Sequence, residues 1–388
     1  MPAIMPSLSL SNDQQAAVDR IRAWLSKPLS DLTLGGLAGT GKSTVLGHVW
    51  SELDNAGCAM FAPTGKASQV LIQKGIPATT LHRLIYKFKG IHEHDDGTED
   101  PVFQDEGGWQ TQSGDAPTVL GCDESSMITE AQYQDVRARK VPCIWVGDHG
   151  QLSPVGGDPG LMRNPDIRLE KIHRQAGDSS ILRLAHAVRN GALPSKIHSD
   201  GDQVKVGRIT SDKRLVEYAI ENEIDQIIVG TNALRHRLNK LMRARVHDLP
   251  RVSPPALVEG ERLICTFNDY SYNVFNGQIF QVDHVHDNSA GSATVSLSEE
   301  RIDGWNARTH TVYPVQLSCL GNPSHRSSDR MSGLLEVDYG YAITAHKGQG
   351  SEWGRVLVVC EDMPWVDGKR WLYTAITRGK DHVSVVMR

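Results

Sequence analysis

The stretch LTLGGLAGTGKSTVLGHVW, from Leu32 to Trp50, decides the fold. It holds Gly36 and Gly41, four residues between them, followed at once by Lys42 and Ser43. A short apolar run precedes it, and a helical pattern of Val45, Leu46, Val49 and Leu53 follows. Glycines at these points let backbone N–H groups turn inward around phosphate oxygens, and the helix start adds partial positive charge. In such a strand–loop–helix unit the lysine reaches the β- and γ-phosphates of a nucleotide, and the hydroxyl after it ligates Mg2+. The nucleotide-binding candidates here are Gly36, Leu37, Ala38, Gly39, Thr40, Gly41, Lys42, Ser43 and Thr44.

A nucleotide site needs a further carboxylate. APTVLGCDESSMI, Ala116 to Ile128, supplies it as a β-type apolar run ending in Asp123 and Glu124. Asp123 is the candidate for the Mg2+ shell, with Ser43. Glu124 is the candidate that orients and deprotonates an attacking water. Alone, an acidic pair after a strand reads as a solvated strand end; beside the glycine loop it reads as hydrolytic machinery.

Around these two segments, strand-like and helix-like stretches alternate, which predicts an α/β fold with parallel sheets covered by helices. LTLGG, CAMFA, TVLGCD, CIWVGD and IRLEKI read as strands. Their polar continuations should share one face, because ligands bind beyond the carboxyl ends of strands in such sheets. The pattern then restarts. DQIIVGTNALRHRLN reads as strand, turn and helix, and GRVLVVCED and HVSVVMR as strands with a helix between them. That predicts a second α/β lobe.

Two stretches break the rhythm. Residues 87–116 form an acidic, glycine-rich insert carrying Phe103 and Trp109. Its His92, His94, Asp95 and Asp96 read as a solvated loop rather than a metal site, because no spacing focuses them. Residues 257–330 hold short runs between turn residues and read as a small antiparallel β-barrel.

The chain of 388 residues is 39% hydrophobic, enough for two or three cored domains. No apolar run is long enough to span a membrane. The first residues lack the basic and apolar regions of a signal peptide, so none is expected. Six scattered cysteines without a CxxC pair predict buried, reduced thiols in a cytoplasmic protein rather than disulfides or zinc ligands. The net charge of −5 shows no bulk affinity for nucleic acid, so any such binding must use a local channel.

Taken together, the motifs resemble superfamily 1 helicases of the RecD/Dda type, in order from Leu10 to Arg378. LSNDQQAAV resembles the adenine-reading Q motif and points to Gln14. APTGKAS offers Pro63, Thr64 and Lys66 to the DNA backbone, and TLHRL offers His82. VGDHGQLSPV resembles motif III, with Gln151 sensing the γ-phosphate; Ser153 stands where the family commonly has a proline. LEKIHRQ resembles motif IV and offers Arg174. GTNALRHRLN offers Asn232 and Arg235. AITAHKGQGSEW resembles motif V, with Thr344, His346 and Lys347 on the DNA side and Gln349 and Glu352 near the nucleotide. LYTAITRGK resembles motif VI, with Arg378 as arginine finger.

The resemblance implies two tandem RecA-like P-loop NTPase lobes. Lobe 1 is expected at 1–86 and 117–175, and lobe 2 at 176–256 and 331–388. The small insert at 87–116 interrupts lobe 1, and an SH3-like barrel at 257–330 interrupts lobe 2. It implies an ATP- and Mg2+-dependent, DNA-stimulated ATPase that moves 5′ to 3′ on single-stranded DNA and opens forked duplex. Lys42, Glu124, Gln151, Arg174 and Arg378 are then the catalytic set, and Phe103 or Trp109 the wedge. The expected state is a monomer associated with DNA, with a single-strand binding protein or replication and recombination proteins as candidate partners. Three alternatives stay open: a translocase without strand separation, a motor subunit of a larger repair complex, and a nucleotide-dependent switch. The catalytic set argues against the last.

Overall fold

The computed structural model describes residues 10–85, 87–93, 99–104, 116–171, 179–192, 203–250, 256–269, 272, 274–289, 291–301, 304–322, 324–325, 331, 333–363 and 367–388. Two units emerge: Met1–Gly90 with Val102–Arg183, and Ile91–Pro101 with Leu184–Arg388.

The first unit is built on a parallel sheet. Its strands are β1 (Leu32–Gly36), β2 (Cys58–Ala62), β3 (Ala78–Thr80), β6 (Val119–Cys122), β7 (Cys143–Gly147) and β8 (Ile167–Leu169). Their order is β3-β2-β6-β7-β1-β8, and every pairing is parallel. Period-two alternation sends Cys58, Met60, Ile144 and Val146 to one face and Ala59, Phe61, Cys143 and Trp145 to the other. Both faces are therefore buried, as a parallel sheet requires. The helices Asn12–Leu25 and Lys42–Asn55 cover the first face. Val45, Leu46, Val49 and Leu53 of the second helix all enter that core, each contributing roughly 1.5–3 kcal/mol by burial.

Between β3 and β6, strands β4 (Lys87–Glu93) and β5 (Glu99–Gln104) form a two-stranded sheet. Phe103 is described there only as backbone, and Trp109 lies outside the described residues, as do His94, Asp95 and Asp96.

The second unit carries a parallel sheet and an antiparallel one. The parallel sheet is β16-β10-β17-β18-β9, with β9 at Val204–Arg208, β10 at Gln226–Val229, β16 at Ala342–Thr344, β17 at Trp353–Cys360 and β18 at Gly379–Met387. All of its pairings are parallel. The antiparallel sheet is β14-β13-β12-β11-β15, with β11 at Arg262–Cys265, β12 at Ile279–Ser289, β13 at Ser292–Arg301, β14 at Gly304–Gln316 and β15 at Val337–Tyr339. This sheet therefore takes its last strand from beyond residue 330. One core joins both sheets, including Ile227, Leu238, Leu263, Phe280, Tyr313 and Leu357. Burial alone does not hold them. Arg243 of helix Asn232–Val246 pairs with fully buried Glu261, donates to Ala256 O and stacks over Tyr339 at 5.1 Å.

All six cysteines are free. Burial pushes the Cys58 and Cys265 thiols up to about 12, which keeps them protonated and unreactive. No described helix is long and apolar enough to cross a membrane.

Candidate active site

In the first unit β7 lies between β1 and β6. The loops after β1 and β6 are thus two strand spacings apart, about 10 Å, at the carboxyl edge of one sheet. The loop after β1 is the glycine loop. Gly39 and Gly41 hold φ of 81° and 86°, a region that favours glycine. Gly36 is required for a different reason. A Cβ there would stand 2.5 Å from Thr40 Oγ1, 3.1 Å from Leu169 Cβ and 3.2 Å from Lys42 Cγ. Gly41 caps helix Lys42–Asn55 without a side-chain hydrogen bond, so the N–H groups of the first turn face outward as an anion site. Ser43 and Thr44 belong to that turn, and Leu37 and Ala38 to the loop before it.

Lys42 Nζ donates to Gly36 O at 2.6 Å and Leu37 O at 3.2 Å, and lies 3.9 Å from Asp148 Oδ2. Asp148 is almost wholly buried and also accepts from Gly150 N at 2.8 Å. Asp148 is not among the candidates read from the sequence. Its signal was present, a carboxylate straight after the β7 strand, but the glutamine of the same motif drew the assignment. Gln151 is buried three residues on, where its N–H donates to Asp148 O.

Asp123 and Glu124 follow β6. Burial raises the Asp123 carboxyl above the ordinary value, against the lowering effects of a bond from Glu124 N–H and of Lys74 and Lys42. Glu124 adopts φ 54°, ψ 36°, a left-handed conformation unusual for a residue with a Cβ. Such strain at a strand end marks a position where side-chain direction matters more than backbone ease.

Gln14 is used structurally. Its Oε1 accepts from Ser11 N at 3.1 Å in a capping box, and its Nε2 donates to Thr40 O at 3.2 Å. It therefore fixes the first helix to the glycine loop. Arg174 lies outside the described residues.

The candidate DNA-side residues of this unit sit toward the other end of the same edge. Pro63, Thr64 and Lys66 follow β2, where Thr64 caps helix Gly65–Gln73 by accepting from Ala67 N at 3.2 Å. His82 follows β3, and burial lowers its pKa against the opposing pull of Asp135.

The second unit divides its candidates between two edges. Thr344 ends β16 and Asn232 follows β10, both at the carboxyl edge. His346 and Lys347 come next, and burial lowers both, with Arg235 reinforcing the effect on Lys347. Gln349 is buried and Glu352 exposed, just before β17 begins. Glu352 pairs with Lys380 at 3.7 Å, an exposed contact of small energetic weight.

Two arginines are held by partners within their own unit. Arg235 is 8% exposed and pairs with buried Asp338 at 3.1 Å. Its charge is neutralised inside its own unit, because strand β15 brings a carboxylate beneath it. Arg378 is 4% exposed. It donates from Nε to Thr374 O at 3.1 Å, from Nη1 to Ser351 O at 3.0 Å and from Nη2 to Thr377 Oγ1 at 3.0 Å. The Arg378 guanidinium is held within its own unit, beside Trp353, whose backbone N–H donates to Arg378 O at 2.8 Å.

A glycine loop at a helix start, with buried carboxylates beyond the neighbouring strands of a parallel sheet, defines a P-loop nucleotide-binding protein. Residues 9–211 match a family model described as an AAA domain, more than half of the chain, and residues 339–386 match a UvrD-like helicase C-terminal domain. The chain is 27% identical over 417 aligned residues to the ATP-dependent RecD2 DNA helicase of Deinococcus radiodurans, covering 98% of this chain and 51% of that protein. It is 24% identical over 267 residues to the ATP-dependent DNA helicase dda of Enterobacteria phage T4, covering 62% and 58%. The chain thus spans about half the length of the curated relatives it matches. A Pif1 structure from work on unwinding at forked duplex DNA aligns with a TM-score of 0.56 at 19% identity, covering 97% of this chain and 92% of that one. Bacteroides Pif1 bound to single-stranded DNA aligns with a TM-score of 0.54 at 18% identity, covering 98% and 92%. These likenesses show the two-lobe α/β helicase fold with parallel sheets. The chain belongs to the AAA-domain family of the matching model and is homologous to the RecD2 and Dda helicases of superfamily 1.

Proposed function

We propose that the chain is an ATP-driven DNA motor that moves 5′ to 3′ along single-stranded DNA and separates the strands of a forked duplex. The observation that carries this reading is the convergence of Lys42, Asp148 and the Asp123–Glu124 pair at one sheet edge. The printed activities of the RecD2 and Dda relatives support it.

In this reading Lys42 exchanges the Gly36 and Leu37 carbonyls for β- and γ-phosphate oxygens, with Asp148 aiming its ammonium. Ser43 and Asp123 offer hard oxygen donors suited to Mg2+, and the charge of Lys42 already acts on Asp123. The metal, when bound, would neutralise charge on the phosphates. Glu124 orients and deprotonates the attacking water, and Gln151 reports the γ-phosphate. Gln14, through its bond to Thr40 O, links the adenine side to the loop. Arg174 and Arg378 complete the charge around the leaving phosphoryl, Arg378 after giving up its bonds to Ser351 and Thr374. Gln349 and Glu352 are the second unit's candidates for the nucleotide.

Pro63, Thr64, Lys66, His82, Asn232, Thr344, His346 and Lys347 grip the DNA backbone without reading sequence; Arg235 orders their surroundings. The antiparallel sheet of β11–β14, completed by β15 at Val337–Tyr339 rather than ending by residue 330, is read as the SH3-like barrel, and Phe103 or Trp109 of the 87–116 insert as the wedge. The protein works as a DNA-associated cytoplasmic monomer alongside single-strand binding, replication or recombination proteins.

Steady-state ATP hydrolysis with and without single-stranded DNA tests the reading. The wild type should be strongly stimulated, while Lys42→Ala binds DNA and shows no hydrolysis. Hydrolysis by the wild type that ignores DNA would overturn it.

A further inference from the structure

Glu361, just after β17, is the residue whose chemistry the motor reading leaves unused. Its Oε2 accepts from Gly230 N at 2.8 Å and Thr231 N at 2.9 Å, and its Oε1 accepts from Thr231 Oγ1 at 2.7 Å. These donors form the turn between β10 and helix Asn232–Val246. The same turn is closed from above. A Cβ on Gly230 would collide with Met363 Sδ and stand 3.1 Å from Glu361 Oε2, so glycine lets both side chains sit against the turn without shifting. Thr231 then uses its hydroxyl a second time, accepting from Leu234 N at 3.2 Å as the helix cap. One carboxylate thus fixes the backbone immediately before Asn232, which is exposed at the helix start.

We infer that Glu361 is a positioning residue for DNA binding: its carboxylate presets the Gly230–Thr231 turn so that Asn232 meets the DNA backbone already ordered. The inference rests on the motor reading above. Three hydrogen bonds to one side chain hold the turn, and a preordered contact avoids the ordering penalty on binding. Glutamine at this position retains the geometry. Its carbonyl oxygen can accept both N–H groups while its amide donates to Thr231 Oγ1. Alanine removes all three bonds.

The test titrates an unstructured single-stranded oligonucleotide against ATP hydrolysis for the full chain. With Glu361→Ala, the DNA concentration for half-maximal stimulation should rise about tenfold, equivalent to about 1.4 kcal/mol, with DNA-free hydrolysis unchanged. Glu361→Gln should stay within about twofold of wild type. A role confined to folding would lower the melting temperature without moving the DNA requirement. Should the alanine variant fail to fold, Glu361→Ser, polar but too short to reach the turn, carries the same expectation. An unchanged or lowered DNA requirement in a DNA-stimulated enzyme overturns the inference alone. Absence of stimulation in the wild type overturns the motor reading and the inference with it.

Discussion

Glu124 offers a prediction that separates strain from chemistry. It holds φ 54°, where a Cβ crowds the following carbonyl at about 1–2 kcal/mol. Glu124→Gly and Glu124→Ala both remove the carboxylate and differ in that Cβ. Glycine relieves the crowding but adds freedom to the unfolded chain, which offsets about 0.4–1 kcal/mol. The glycine variant should therefore be the more stable by about 0.5–1 kcal/mol, or roughly 1–4 °C in melting temperature for a domain of this size. Both variants should bind ATP and fail to hydrolyse it. Calorimetric melts and single-turnover hydrolysis measure the two effects separately. A glycine variant that melts below the alanine variant would refute the strain argument; a glycine variant that hydrolyses ATP normally would refute the role given to the carboxylate.

Other perturbations follow from the same geometry. Because burial raises the folded-state pKa of Asp123, wild-type stability declines as pH rises from the ordinary aspartate value through the raised one. Asp123→Asn should thus melt higher than wild type near pH 8 in metal-free buffer, with the difference shrinking toward pH 3; a constant difference contradicts the burial argument. Arg378→Ala should keep ATP affinity near normal and lower hydrolysis by about 10³ or more. It should also lower stability by about 1–3 kcal/mol, through the acceptors left at Ser351 and Thr374; normal hydrolysis rules out the finger. Replacing Phe103 and Trp109 together by alanine should abolish unwinding of a fork and spare DNA-stimulated hydrolysis, and intact unwinding excludes the wedge.

Much of the fold was legible because its main strands are long apolar runs ending in polar loops. LTLGG, CAMFA and CIWVGD became β1, β2 and β7. Of the three-residue strands only β8, inside IRLEKI, was read; β3, β15 and β16 escaped, being too short to show any period. In the site, the glycine loop and Asp123–Glu124 were readable because their chemistry is local. The partners of Arg235 and Arg378 were not. Asp338 and the Ser351 carbonyl meet these arginines only through tertiary packing, and a basic residue in a helix looks the same whether it faces solvent or a buried acceptor. Gln14 shows the same limit: its spacing from Ser11 fits a capping box, and its bond to Thr40 depends on how the first helix docks.

The central claim is most directly tested by unwinding of duplexes bearing either a 5′ or a 3′ single-stranded tail, with ATP and Mg2+. Strand separation is expected from the 5′-tailed substrate, none from the 3′-tailed one, and none on either with Lys42→Ala. Unwinding restricted to the 3′-tailed duplex would contradict the polarity, and unwinding by Lys42→Ala would contradict the motor itself.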